Sequence, residues 1–118
     1  MEPVHIVQEI DIPWVEGRSM VKDGKRIGVH NRAPIAQVDP GPWLGRSRYD
    51  PGMVVAPHRH PSNEIIFIVA GDMTVAGTSY GQGTAIAIKA GTVYGPLVAG
   101  PHGVEFLLIF DRDPKRGK

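Results

Sequence analysis

Apolar and polar residues alternate in short runs along this chain, and no stretch keeps a period near 3.6. Gly, Pro, Asn and Asp bound the runs, a pattern that predicts an all-β sandwich or barrel. Asp23-Gly24 lies between Met20-Val21-Lys22 and Lys25-Arg26-Ile27 and reads as a two-residue hairpin turn needing left-handed backbone. Residues 33–38 and 43–49 are strand candidates separated by the breaker Asp39-Pro40-Gly41-Pro42. Asp50-Pro51-Gly52 turns the chain into 53–60, which pairs by expectation with 64–70. Strands at 73–76, 84–88, 93–98 and 104–110 follow, with Gly100-Pro101-His102-Gly103 as a hairpin tip.

Strands 64–70 and 104–110 are apolar on both parities, which calls for cover on both faces and hints at a homodimer. The first 18 residues read as an arm lying on the barrel or on a partner subunit. Val4, Ile6 and Val7 are candidates for an edge strand there, and Trp14 must pack.

At 118 residues the chain is the size of one domain, spanning 1–118. Its 15 glycines and 11 prolines suit many short strands joined by tight turns. Without cysteine there is no disulfide framework and no thiolate nucleophile or ligand. The formal charge of +1 is spread rather than concentrated, which argues against a nucleic-acid partner. Lys115-Arg116-Gly117-Lys118 reads as a solvated tail. Met1-Glu2-Pro3-Val4-His5 lacks the basic and apolar regions of a secretory signal, and the run from Ile65 to Gly71 is too short to cross a bilayer. A cytoplasmic protein with no membrane partner is expected.

Candidate chemistry centres on His58, His60 and Glu64. His58 and His60 are two apart on a strand and project to the same face. If Pro61-Ser62-Asn63 forms a three-residue hairpin loop, residue 60 faces residue 64, and the two imidazoles and the carboxylate converge. Ile66 and Ile68 share that face as a dry lining. Three N,N,O donors on one side of a divalent transition metal leave positions open, as in non-haem Fe(II) oxygenases, and Mn, Ni, Zn or Co also suit the set. A bare His-x-His is more often two surface histidines; the carboxylate and the apolar neighbours argue against coincidence.

The stretch from Gly52 through His58, His60 and Glu64 to Gly71 resembles the first cupin motif: glycine, five residues, HxH, three residues, Glu, six residues, glycine. Gly83 to Val98 resembles the second motif in both glycines, Gly83 and Gly91. There, however, Lys89 replaces proline, Tyr94 replaces the ligand histidine and Val98 replaces asparagine. The resemblance covers about residues 33–112 and implies a cupin-type double-stranded β-helix there, a jelly-roll barrel, with His58, His60 and Glu64 as metal ligands. Tyr94 stands at the fourth ligand's place. It is read as a catalytic substrate or metal-bound-water contact, with phenolate ligation and plain packing as alternatives; ionising a tyrosine needs a strong nearby charge.

Other polar residues carry weaker expectations. His102 reads as a turn histidine rather than a replacement ligand, and His30 as an edge or surface residue rather than a pocket contact. Arg46 and Arg48 share a face: if it is the inner one they anchor substrate, if the outer one they are solvated. Tyr49 points the other way, Trp43 packs, and Glu105 is exposed. The favoured function is a metal-dependent, dioxygenase-like oxidoreductase acting on a small enol, diketone or phenolic compound. Alternatives are a metal-dependent isomerase or lyase, and a non-catalytic ligand-binding or sensory module.

Overall fold

In the computed structural model, which describes residues 3–115, strands dominate and no α-helix occurs among the described residues. The strands are β1 (Val15–Lys22), β2 (Lys25–Gln37), β3 (Trp43–Tyr49), β4 (Val54–Val55), β5 (Glu64–Val75), β6 (Thr78–Gly81), β7 (Ala85–Ile88) and β8 (Leu97–Phe110). All pairings are antiparallel; the order is β1-β2-β3-β8-β5-β6, with β4 on β8 and β7 on β5. Asp23 and Gly24 take the positive φ expected of the β1–β2 hairpin turn.

β5 and β8 form the spine. On β5, Glu64, Ile66 and Ile68 face inward and are buried, while Ile65 and Phe67 face outward. Met53, Met73, Leu97 and Phe106 fill the same interior. Burying side chains of this size stabilises by about 1.5–3 kcal/mol each. Ile65, Phe67 and Ile109 remain 37–43% exposed, so the single chain does not cover the outer face.

Several expectations differ from the structure. Residues 53–60 are not one strand: only Val54–Val55 pairs regularly, because Pro57 and Pro61 supply no amide donor. The tip expected at residues 100–103 lies inside β8, where the β5–β8 register shifts between Gly71 and Met73. Val4, Ile6 and Val7 form no strand. β1 begins at Val15, inside the stretch expected to be an arm, and Ile27 and Val29 extend the core before residue 33. The segment ahead of β1 lies against the outer face of β2 and β3. The Trp14 ring receives the guanidinium groups of Arg32 and Arg48 at 4.7 and 4.6 Å, and Glu9 pairs with Arg32 and Arg46. Met1, Glu2 and residues 116–118 of the basic tail lie outside the described residues.

Gly71 sits at the register shift with φ +72, and a Cβ there would collide with the Gly103 carbonyl oxygen. Left-handed backbone and a backbone clash both oppose a side chain. Gly71→Ala is expected to cost about 3 kcal/mol in urea unfolding; a loss under about 0.5 kcal/mol, the scale of an ordinary surface change, would show that the spine tolerates the residue.

Candidate functional site

The chain from His58 to His60 runs alongside residues 91–94, not alongside β5. His58 donates its amide to the Tyr94 carbonyl at 3.0 Å, Tyr94 returns the bond at 2.9 Å, and Gly91 donates to the His60 carbonyl at 2.8 Å. Glu64 pairs with Ile88 of β7 and Phe110 of β8. The expected hairpin, with residue 60 facing residue 64, is therefore replaced by a non-local pairing. A sequence-adjacent partner was the simplest assumption, and the jelly-roll crossing overrides it.

The side chains still share one cavity of about 690 Å³, lined by His58, His60, Glu64, Tyr94, Tyr49 and Ile66, among others. The His58 and His60 ring centroids are 5.1 Å apart. His58 donates from Nδ1 to the Ala56 carbonyl at 3.0 Å, which leaves Nε2 as the ring's acceptor. His60 meets the Phe110 ring edge-on at 5.2 Å. The Tyr94 hydroxyl donates to Glu64 Oε1 at 2.6 Å, and its ring lies 4.6 Å from that of His58.

Glu64 is only 3% exposed. Burial pushes its carboxyl up to about 7, although the Tyr94 hydrogen bond works the other way. Burial first, and then the Glu64 charge, holds both the Tyr94 and the Tyr49 hydroxyls above the usual tyrosine range. Both phenols are therefore neutral donors here.

Among the described residues, no three His, Cys, Asp or Glu side chains form a ready ligand cluster. The spacing of the two imidazoles nevertheless suits a shared cation. A metal about 2 Å from an imidazole nitrogen lies roughly 3 Å from the ring centre, so adjacent ligand rings stand roughly 4.5–5 Å apart, close to the spacing of His58 and His60. A buried carboxyl with a raised pKa gains most from a positive charge beside it.

The remaining candidates separate cleanly. On β3, Trp43, Gly45, Ser47 and Tyr49 face inward, so Arg46 and Arg48 are on the outer face and anchor nothing in the cavity. Arg46 pairs with Glu9 and Glu105 at 2.6 and 2.8 Å, which also leaves Glu105 only partly exposed. His30 bonds Asp50 at 3.1 Å outside the cavity. His102 is exposed on β8. Trp43 packs edge-on against Phe110 at 5.2 Å while lining the cavity. Sequence reasoning missed Arg18, Asn31 and Ser47 as lining residues. The parity of Trp43 pointed to Ser47 and that of Val29 to Asn31; nothing local pointed to Arg18.

No family model matches the chain, and no curated protein sequence matches it. Solved structures do. A proposed acetylacetone dioxygenase from Methylibium petroleiphilum PM1 has a TM-score of 0.72 at 17% identity, over 100% of this chain and 86% of the other. KdgF from a Halomonas species has a TM-score of 0.71 at 20% identity, over 96% and 98%. An RmlC-like cupin from Shewanella frigidimarina NCIMB 400 has a TM-score of 0.65 at 14% identity, over 86% and 96%. The chain has the cupin jelly-roll fold. Identities this low do not carry a reaction across, and one fold hosts many chemistries.

The raised Glu64 pKa has a consequence for stability. A carboxyl held near 7 in the fold, against 4.5 in its ordinary state, favours folding fully below the lower value, and that contribution is lost as pH rises through 7. In chelator, Glu64→Gln is expected to match the parent near pH 4.5 and to exceed it by about 3 kcal/mol above pH 8. Urea curves that keep the same separation at both pH values would contradict the shifted carboxyl.

Proposed function

We propose that this chain is a metal-dependent enzyme of dioxygenase-like type, acting on a small enol, diketone or phenolic compound. The observation that carries the reading is one cavity lined by two imidazoles and a buried, weakly acidic carboxyl. His58, His60 and Glu64 would hold one divalent transition metal. Such an ion supplies a Lewis acid for a substrate oxygen and, if redox-active, an electron source.

The chain's own residues do the rest. Ile66, Phe106 and Leu108 line the cavity with apolar surface that limits water. The Tyr94 hydroxyl keeps its proton and donates it in a hydrogen bond at Glu64 Oε1. With a substrate in the cavity, the same hydroxyl could donate its hydrogen bond to a substrate oxygen instead, as a positioning donor. Glu64 carries its proton part of the time at neutral pH, so taking on a cation is coupled to releasing that proton.

A non-catalytic ligand-binding module is the second reading. It is favoured by Tyr94, which occupies one Glu64 oxygen and replaces an imidazole donor. The homodimer belongs to the proposal as well, resting on the apolar outer residues Ile65, Phe67 and Ile109; a monomeric mass in solution would remove it.

Elemental analysis of protein purified without added metal separates the two readings. The enzyme reading expects close to one equivalent per chain, and His60→Ala should weaken metal binding at least about 100-fold while leaving the strand circular-dichroism signal intact. Turnover by protein stripped of all metal would end that reading, and a parent chain that takes up no metal favours the binding module.

A further inference from the structure

The cavity that holds the histidines is also lined by a partly solvent-exposed cation, Arg18, with no carboxylate partner among the described residues. β1 and β2 pair at Glu16 with His30 and at Ser19 with Gly28, so β1 advances three residues while β2 advances two. The extra residue makes a bulge at Gly17-Arg18, and bulges re-aim side chains. Arg18 and Gly17 both line the cavity that contains His58, His60, Glu64 and Tyr94. The Arg18 charge is near enough to work against the burial that raises the Tyr49 and Tyr94 hydroxyls.

The other arginines of this sheet are engaged elsewhere. Arg26 pairs with Glu16, Arg32 and Arg46 with Glu9, and Arg48 lies on Trp14. Arg18 has no ion pair among the described residues. The amide of Asn31 lines the same cavity and stands beside the neighbouring Gly17, where a Cβ would lie 3.3 Å from Asn31 Nδ2. Ser47 donates its hydroxyl to Asn31 Oδ1, which fixes that amide with its NH₂ group as the free donor.

A planar guanidinium fork and an amide NH₂ lining the same cavity as His58, His60 and Glu64 match a ligand with a charged oxygen pair at one end. We propose that Arg18, assisted by Asn31, anchors the carboxylate of a small anionic substrate whose other end carries the reacting carbonyl or enol oxygen. This deepens the proposed function and rests on the cavity being the substrate site. Arg18 is a specificity residue: it selects for charge and takes no part in holding metal.

The test compares two probes on the full chain loaded with metal: the neutral diketone 2,4-pentanedione and its carboxylate-bearing counterpart 2,4-dioxopentanoate, with affinities read by calorimetry. The parent is expected to bind the anion about 10-fold or more tighter, a typical gain from a charged hydrogen-bond pair. Arg18→Gln should remove that preference without changing metal content, melting temperature or affinity for the neutral diketone, and Arg18→Lys should restore part of it. Arg26→Gln makes the same change in net charge away from the cavity and should preserve the preference. Equal affinities for the two probes in the parent, an unaltered preference in Arg18→Gln, or an equal loss in Arg26→Gln each overturn the assignment. A chain that takes up no metal but keeps an Arg18-dependent preference for the anion sinks the metal reading alone. One that takes up metal and binds neither probe sinks the Arg18 assignment alone.

Discussion

The two backbone hydrogen bonds exchanged between His58 and Tyr94 hold the histidine segment at the cavity. They tie the histidine segment to the chain leading into β8, and β8 in turn pairs with β5, which carries Glu64. Tyr94 closes the loop through its hydroxyl, which reaches the Glu64 carboxyl. One residue thus fixes a histidine through its backbone and an acid through its side chain. Because these are strand and bridge contacts, little conformational freedom remains to be lost when a ligand arrives.

Burial then decides the electrostatics. Glu64 begins β5 between two neighbouring strands and has almost no contact with solvent. A carboxyl in that position keeps its proton to near neutral pH unless a cation approaches. The same burial keeps Tyr49 and Tyr94 as donors. The cavity is thus lined by neutral phenol donors, two imidazoles, the carboxyls of Glu16, Glu64 and Asp113, and the cations Arg18 and Lys115, with Glu16 already paired to Arg26.

The outer face follows a different logic. Arg32, Arg46 and Arg48 hold the segment ahead of β1 through Glu9 and Trp14. Guanidinium groups are suited to this, since they stack on an indole and pair with carboxylates together. Strand parity thus separates structural arginines on the outer face from the one arginine that lines the cavity, and the bulge at Gly17-Arg18 brings that β1 arginine to the cavity with its side chain still exposed.

Much of this was legible in the order of residues. Period-two alternation and turn residues specified an all-β chain, because strand side chains alternate faces whatever their partners are. The resemblance of Gly52, His58, His60, Glu64 and Gly71 to the first cupin motif implied the cupin fold, and the same residues nominated the candidate donors. Which strands would pair was not legible: residues 53–60 were expected on β5 and lie instead against 91–98, since pairing between distant segments leaves no local signature. The tertiary structure alone placed Arg46 and Arg48 outside, Arg18 at the cavity and Tyr94 on Glu64. Local pattern determines what each segment can be, whereas the register between segments far apart in sequence decides which side chains meet.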